Sequence, residues 1–381
     1  MLWATGILIA VSVAALKSAP AYIESRYNRV RVPPPYTIPD ETAKLQKNLF
    51  VADLHADSLV WGRDLLTRSS TGHIDLPRLE EANVSLQSFT VFTSIPRHLN
   101  IERNSGSSEL IRYLAIAEGW PPRTWNSSLQ RALYQASRLQ AFTSESNGKL
   151  TILRTRYDLQ SFLSSRRSYR LATLLGAEGA EPLEGKLENL DALFAAGYRL
   201  MSPTHFTDTD IGGSSSGEGK GGLTKLGREW VRAMEARGML IDLAHASPAT
   251  VTDVTSIATK PLIVSHTGVR GTCNNNRNLS DDELRAIART GGVIGIGYWE
   301  TATCGRDADS VARAILYTAG KVGFEHVALG SDFDGATVMP FDARGIPLIT
   351  EALLRRGVSE RNIRLVMGEN VLRVLSQTLP G

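Results

Sequence analysis

Eight short apolar runs that alternate with helix-compatible stretches constrain the fold of this 381-residue chain more than any other feature. The runs are LFVADLHAD (49–57), NVSLQSFTVFT (83–93), LATLLGAEGA (171–180), YRLMSPTHF (198–206), GMLIDLAHAS (238–247), PLIVSHTGV (261–269), GGVIGIGYW (291–299) and HVALGSDFDG (326–335). Nearly continuous apolar strands that alternate with helices are typical of a parallel sheet covered on both faces. Eight such units predict an α/β fold, a (β/α)8 TIM-type barrel, with a doubly wound open sheet as the competing fold.

Two stretches between the runs have the pattern of amphipathic helices, LTKLGREWVRAMEARG (223–238) and SDDELRAIARTGG (280–292). In the second stretch, Ser280 stands at the N-cap, Glu283 stands at the capping-box position, and glycine follows the helix. The longest insertion, roughly 94–170, lies between the second and third strands. It is predicted to be helical.

Histidines and carboxylates recur at the carboxyl ends of these runs. They are His55 and Asp57 in the first run, Glu178 in the third, His205 in the fourth, His245 in the fifth, His266 in the sixth, and Asp332 and Asp334 in the eighth. Because side chains alternate along a strand, His55 and Asp57 are expected to share one face. The same reasoning puts Asp332 and Asp334 together and does not choose between them. Since strand ends converge on the catalytic face of a barrel, one polar site is predicted rather than separate core histidines.

The residue types in this set indicate a metal-dependent hydrolase. Neutral imidazole and carboxylate suit borderline divalent metals such as zinc. The candidate ligands are His55, Asp57, Glu178, His245 and His266. Five ligands are too many for one catalytic zinc with an open position, whereas two metals that share a bridging carboxylate use all five. Paired metals about 3.5–4 Å apart hold a bridging water and lower its pKa towards about 7, and the incompletely neutralised pocket favours hydroxide and anionic substrates.

Charge and hydropathy at the N-terminus bear on partners and location. The formal net charge of +3, without a basic stripe, argues against nucleic acid. Residues 2–16 carry no charge, and as a helix they would span roughly 22 Å, short of a hydrocarbon core of about 30 Å. Residues 1–26 are therefore interpreted as an apolar anchor or signal-like segment, with a plain buried helix as the alternative. This predicts membrane association or export, with the side of the membrane open. A proline-rich linker (27–44) and the main domain (45–381) follow.

Six motifs resemble the membrane (renal) dipeptidase family in order and spacing. They are DLHADS, GAEGA, THF, DLAHAS, SHTGVRGTCNNNRNLSDD and GSDFDG. The resemblance covers roughly residues 45–378. It implies a binuclear zinc barrel of the amidohydrolase type that hydrolyses the peptide bond of dipeptides with a metal-bridging hydroxide. Whether a D-residue is accepted at the C-terminal position is left open.

The resemblance also implies a role for each candidate metal ligand. His55 and Asp57 are expected on one Zn²⁺, and His245 and His266 on the other. Glu178 is expected to bridge the two ions, so the expected cofactor is two Zn²⁺ per chain.

Three further residues receive roles from the same resemblance. His205 is expected to contact the substrate and stabilise the developing oxyanion. Arg277, whose guanidinium suits a carboxylate, is expected to bind the terminal carboxylate of the substrate. Asp332, rather than Asp334, is expected to pass the proton to the leaving amine.

The remaining expectations concern the two cysteines, the assembly and the competing functions. The resemblance pairs Cys273 with Cys304, and two reduced cysteines are the alternative. Dipeptide substrates and a homodimer are the expected partners.

The competing enzyme class is another metal-dependent amidohydrolase acting on a lactam, a lactone or an N-acyl amino acid. A barrel that binds without cleaving is the non-enzymatic alternative, and loss of a metal ligand would have favoured it.

Overall fold

Nine β-strands, all paired in parallel, form the centre of the computed structural model within the residues that it describes, 18–165 and 170–381. They are β1 (Val51–Asp53), β2 (Val84–Val91), β3 (Leu150–Ile152), β4 (Leu171–Ala177), β5 (Tyr198–Met201), β6 (Leu240–Ile241), β7 (Ile263–Thr267), β8 (Val293–Ile296) and β9 (Val327–Leu329). The order around the sheet is β6-β5-β4-β2-β1-β9-β8-β7, and β3 pairs only with the start of β4.

The sheet closes on itself between β6 and β7. Asp242, just after β6, pairs in parallel with Ile263, and the Leu243 N–H donates to the Ile263 carbonyl at 2.7 Å. Eight parallel strands with helices between them form a TIM barrel, as the alternating runs predicted. The strand β3 was not predicted, because its three residues are too short to give a periodic signal.

Helices cover the barrel and the ends of its strands. They are α1 (18–27), α2 (Asp40–Lys47), α3 (Leu76–Glu81), α4 (Ile111–Ala117), α5 (Ser128–Glu145), α6 (Arg156–Ser164), α7 (Asn189–Ala196), α8 (Lys225–Ala236), α9 (Pro248–Ile257), α10 (Asp281–Arg289), α11 (Glu300–Thr303), α12 (Ala308–Val322), α13 (Ile346–Leu354), α14 (Glu360–Arg364) and α15 (Asn370–Thr378). Both predicted amphipathic helices are present, as α8 and α10, and the capping box of Ser280 and Glu283 is formed. The helical insertion is confirmed by α5.

Apolar side chains fill the barrel interior towards the amino ends of the strands. The barrel strands contribute Ala52, Leu86, Ala172, Leu174, Leu200, Leu240, Ile263, Val293 and Ala328 to this buried cluster. Side chains of α15, including Val371 and Leu375, pack against it and close that end of the barrel. The interior is thus a packed core at one end, which leaves the carboxyl ends of the strands for polar groups.

The predicted membrane attachment is wrong for the part of the chain that the structure describes. Within 18–165 and 170–381, no helix is both long enough and apolar enough to cross a membrane. The 18-residue helix α5 would extend about 27 Å, but it carries Arg131, Arg138 and Glu145. The apolar residues 2–16, on which the prediction rested, lie outside the described residues.

The stretch predicted to be a linker contacts the barrel domain. Val30 pairs in parallel with Met339, and the Arg31 N–H donates to the Met339 carbonyl at 2.9 Å. Upstream, Glu24 of α1 is buried and forms an ion pair with Arg63 at 2.5 Å. The described N-terminal residues therefore pack onto the loops at the carboxyl end of the barrel, while the division into three segments stays a prediction.

Candidate metal centre

The five predicted metal ligands meet at one buried point at the carboxyl end of the barrel, around the carboxylate of Glu178. Its Oε1 lies 3.0 Å from His245 Nε2, 3.3 Å from His266 Nε2 and 3.6 Å from His55 Nε2. His55 Nε2 also lies 3.4 Å from Asp57 Oδ2. Side chains from three other strand ends thus lie within 3.6 Å of one carboxylate.

Local backbone structure explains how these side chains reach the same point. Glu178 directly follows β4, and His266 lies within β7. His245 follows β6 with a left-handed φ of 63°, a conformation that is costly for a residue with a Cβ. Its carbonyl accepts the Ser215 N–H at 2.7 Å, which ties this turn to the serine-rich loop after β5.

Two hydroxyl groups orient the ligands, and sequence reasoning missed both. Ser265 Oγ lies 2.9 Å from His55 Nδ1 and 3.0 Å from His266 Nδ1, so one hydroxyl holds two rings with their Nε2 atoms facing the cluster. Thr90 Oγ1 donates to Asp57 Oδ1 at 2.8 Å. Such outer partners fix ring orientation and ligand basicity in metal sites. The only signals in the sequence were a threonine inside an apolar strand and a serine immediately before a histidine.

The donor set fits divalent metal ions. Three overlapping groups each have ligand atoms within 4.8 Å of one another: His55, His266 and Asp332; Glu178, His205 and His245; and His55, Asp57 and Glu178. Within the described residues, the buried His55 Nε2 has no hydrogen-bond partner. The Nε2 atoms of His245 and His266 lie only 3.1 Å apart. Zinc prefers imidazole nitrogens and carboxylate oxygens as ligands, and here both kinds of donor are buried and face one another across a small space.

Burial and neighbouring charges favour neutral imidazoles at His245 and His266 and a protonated imidazole at His55. Burial, reinforced by the charge of Arg277, holds the pKa of His245 well below its usual range, and burial with the charge of His55 does the same for His266. Burial would also lower the pKa of His55, but the carboxylates of Glu178 and Asp57 raise it well above the usual range. Because metal ligands must be deprotonated, metal binding is expected to displace that proton.

The predicted catalytic and substrate-binding residues line a cavity of about 270 Å³ that opens above the cluster. His205 Nε2 lies 3.4 Å from Glu178 Oε2, and burial lowers the pKa of His205 to about 4. Arg277 is buried, donates from Nη2 to the His266 carbonyl at 3.0 Å, and lies 5.6 Å from the Trp299 ring centre. A disulfide between Cys273 and Cys304 links the loop of Arg277 to the residue after α11.

Asp332 and Asp334 do not share a face, so the prediction from strand alternation is wrong. The strand β9 ends at Leu329, and both aspartates have left-handed φ angles, 66° and 62°. Asp332 lines the cavity. Asp334 instead contacts Ser58, Arg63 and the His73 N–H away from the cavity. The alternation rule fails because it applies only to extended backbone.

Sequence reasoning also missed the apolar lining of the cavity. It comprises Phe92, Ile95, Leu99, Ile101, Phe206 and Trp299. Phe92 and Trp299 stand at the ends of the second and seventh runs, the two runs without a candidate metal ligand. Phe206 directly follows His205, and this position beside a strand-end histidine was the one available signal.

An eight-stranded α/β barrel that gathers imidazoles and carboxylates at its carboxyl end defines a metallohydrolase of the barrel type. Comparison with known families gives the particular group: residues 40–379 match the model of the membrane dipeptidase family, peptidase family M19. The chain belongs to that family, which confirms the resemblance of the six motifs.

Individual relatives agree with this assignment. The chain is 33% identical over 258 residues to dipeptidase verJ of Clonostachys rogersoniana, a match that spans 65% of this chain and 65% of that protein's length. It is 27% identical over 323 residues to dipeptidase tcpJ of Claviceps purpurea, which spans 82% of this chain and 70% of that protein.

Solved structures show the same fold. A metallopeptidase from Rhodobacter sphaeroides, bound to a phosphinate mimic of the dipeptide L-Ala-D-Ala, superposes with a TM-score of 0.73 at 24% identity, covering 87% of this chain and 99% of that one. The probable dipeptidase PvdM from Pseudomonas aeruginosa gives a TM-score of 0.74 at 19% identity, covering 89% and 98%. At these identities the likeness concerns the fold alone.

Proposed function

We propose that this protein is a zinc-dependent dipeptidase that hydrolyses the peptide bond of dipeptides. The observation that carries the proposal is the convergence of three imidazoles on Glu178 in a cavity that also contains Arg277. His55 and Asp57 would hold one Zn²⁺, His245 and His266 would hold a second, and Glu178 would contact both. Bound zinc supplies Lewis acidity and lowers the pKa of water towards about 7.

Arg277 binds the terminal carboxylate of the substrate. Its guanidinium is buried, and one hydrogen bond to the His266 carbonyl fixes it in place while other donors remain available to a ligand in the cavity. A planar fork of charged donors suits a carboxylate. Because an internal peptide bond has no adjacent free carboxylate, this contact favours cleavage of the C-terminal peptide bond, and the small cavity favours a dipeptide over a longer peptide.

During hydrolysis, His205 stabilises the negative charge that develops on the substrate, and Asp332 transfers a proton. His205 is neutral near pH 7, since burial lowers its pKa to about 4, and a neutral imidazole N–H donates to the oxyanion that develops on the substrate carbonyl. Asp332 faces the same cavity, and burial raises its pKa well above the usual range. In its ionised form this carboxylate accepts a proton from the attacking water, and the raised pKa favours holding that proton until it is delivered to the leaving amine.

The size of the cavity agrees with a short substrate. About 270 Å³ lies just below the range of roughly 300–1,000 Å³ that is typical of pockets for drug-sized ligands. An extended tripeptide would need more space, whereas an N-acyl amino acid would also present a free carboxylate to Arg277. The substrate test must therefore include N-acyl amino acids.

The formation of a homodimer remains a prediction.

The test is a substrate panel on the zinc-loaded protein. Unblocked dipeptides with L- or D-residues at the second position are compared with C-terminally amidated dipeptides, tripeptides and N-acyl amino acids. We expect turnover of the unblocked dipeptides and poor turnover of the amidated and longer ones. Equal turnover of amidated and free dipeptides would contradict the role of Arg277. Turnover restricted to N-acyl amino acids would replace dipeptidase by another amidohydrolase activity.

A further inference from the structure

A segment of the insertion crosses the cavity that holds the metal ligands. It comprises residues 95–104, shortly after β2, and we call it the strap. Three of its apolar side chains, Ile95, Leu99 and Ile101, line the cavity. Leu99 is also 44% exposed, so it stands at the mouth of the cavity, where a substrate side chain would pass or rest.

Hydrogen bonds fix the strap to the loop after β5. Asn104 is buried, and both its backbone N–H and its Nδ2 donate to the Ser216 carbonyl, at 2.8 and 3.0 Å. Asn104 Nδ2 also donates to the Asn100 carbonyl at 2.7 Å, and its Oδ1 accepts the Asn100 N–H at 3.0 Å. Ser216 Oγ donates to the Ile101 carbonyl at 3.0 Å. Asn104 therefore sets both the shape of the strap and its distance from the barrel.

A second contact joins the strap to the loop of Arg277. The Asn276 side-chain amide donates to the carboxylate of Glu102. The strap consequently spans from the loop after β5 to the loop after β7. The strap therefore forms one wall of the cavity above a ligand held by Arg277, and contacts with both loops determine the position of this wall.

The charged groups of the cavity are already engaged in the proposed chemistry. Among the described residues that line it, the carboxylates and the guanidinium are Asp57, Glu178, Asp332 and Arg277. The strap and the facing aromatic side chains add no charge to the lining. A charged substrate side chain placed against them would lose hydration without gaining a charged partner, which is unfavourable, whereas an apolar side chain would gain from burial.

We infer that the strap makes the enzyme selective for dipeptides with apolar side chains, and that Asn104 is the positioning residue that holds this apolar wall in place. The inference rests on the dipeptidase function proposed above and adds the substrate class. Ile95, Leu99 and Ile101 contact the substrate side chain, while the groups around Glu178 act on its peptide bond.

The experiment measures kcat/KM of the zinc-loaded protein for Leu-Ala, Asp-Ala and Lys-Ala, and for Ala-Leu, Ala-Asp and Ala-Lys. At the position that faces the strap, we expect leucine to be favoured over either charged residue by at least about 10-fold, the lower end of what a hydrophobic pocket gains from a single methylene group. The Leu99→Lys variant should reduce kcat/KM for the leucine dipeptide and increase it for the aspartate dipeptide. Zinc content and melting temperature should stay unchanged.

A matched control is Leu163→Lys. Leu163 of α6 is 40% exposed, close to the value for Leu99, and does not line the cavity. This variant should keep the wild-type ratio of leucine to aspartate dipeptides. The same ratio in wild type and Leu99→Lys, or equal cleavage of charged and apolar dipeptides by wild type, would overturn the inference and leave the dipeptidase function intact. No hydrolysis of any dipeptide would overturn the proposed function and the inference together.

The positioning role of Asn104 has its own readout. In Asn104→Ala, KM for the leucine dipeptide should rise while kcat and zinc content are retained, because the wall moves and the metal ligands do not. A fall in kcat at unchanged KM would contradict the positioning role, as would an unchanged KM with a lower melting temperature.

Discussion

Asp332 and Asp334 lie two residues apart but belong to regions with opposite properties. The carboxylate of Asp334 accepts hydrogen bonds from Ser58 Oγ at 2.5 Å and from the His73 N–H at 2.6 Å, and it contacts Arg63. Burial alone would raise the pKa of Asp334, but Arg63 and His73 outweigh it and lower the pKa. Burial raises the pKa of Asp332 well above its usual range, and the carboxylates of Asp57 and Glu178 add to that effect.

The difference distinguishes a polar cluster whose members satisfy one another from a cluster that faces a cavity. Around Asp334, each charge meets a partner within the protein: Arg63 also pairs with Glu24, and the His73 ring lies 3.2 Å from the Arg29 carbonyl. Around Glu178, ring nitrogens and carboxylates face a cavity and each other. Buried polar groups that satisfy one another stabilise a loop, whereas buried groups with unmet capacity indicate a ligand.

Glu178→Gln should have the largest effect. Glu178 is the group on which His55, His245 and His266 converge, and an amide cannot replace a charged carboxylate between two cations. We expect zinc content to fall at both sites and dipeptide hydrolysis to fall to background. Elemental analysis and kcat measured on the same preparation test this. A variant that keeps full zinc content would show that Glu178 does not serve both sites.

Asp332→Asn should leave zinc bound but reduce kcat by about 10²- to 10⁴-fold, the usual contribution of a general acid–base group. The amide cannot take a proton from water and pass it to the leaving amine. Zinc content and circular dichroism serve as controls for the fold. Retention of wild-type kcat would remove Asp332 from the proton transfer.

Arg277→Ala should reduce kcat/KM for unblocked dipeptides roughly 30- to 5,000-fold, which corresponds to a loss of about 2–5 kcal/mol in transition-state stabilisation. The reason is loss of the charged partner of the substrate carboxylate. Amidated dipeptides, which lack that carboxylate, should lose much less. An equal loss for both substrates would indicate that the arginine supports the fold and not the carboxylate.

Asp334→Asn should have the smallest effect on activity and the clearest effect on stability. Its hydrogen bonds to Arg63, Ser58 and His73 are formed within the protein, so their weakening should cost about 1–3 kcal/mol of unfolding free energy. Zinc content should stay at the wild-type level, and kcat should fall less than in Asp332→Asn. If Asp334→Asn loses more kcat than Asp332→Asn at equal stability, the proton-transfer role belongs to Asp334.

The sequence predicted those parts of the protein that depend on local pattern. Apolar runs located the barrel strands, and residues near the carboxyl end of a run, such as Glu178 and His245, were placed at the correct end of the barrel. The capping box of Ser280 and Glu283 was also local and was confirmed. These features depend on backbone periodicity and on the convergence of strand ends, which hold in any barrel.

Features that depend on long-range contacts could not be predicted. Ser216 and Asn276, which hold the strap, lie more than a hundred residues from it in the chain. The orientation of Asp334 depends on Arg63 and on a left-handed backbone that strand periodicity does not describe. The prediction of membrane association rested on residues 2–16, which lie outside the described residues, and no helix within 18–165 and 170–381 is long and apolar enough to cross a membrane.

The central claim is that the cluster around Glu178 binds two metal ions, whereas the cluster around Asp334 is structural. The direct measurement is zinc content per chain, with melting temperature, for wild type, His55→Ala and His73→Ala, since both histidines are fully buried and each contacts a carboxylate. The account predicts two zinc ions in wild type, fewer in His55→Ala, and two in His73→Ala with a lower melting temperature. If His55→Ala keeps two zinc ions and merely melts earlier, His55 is a structural core histidine and the claim is wrong.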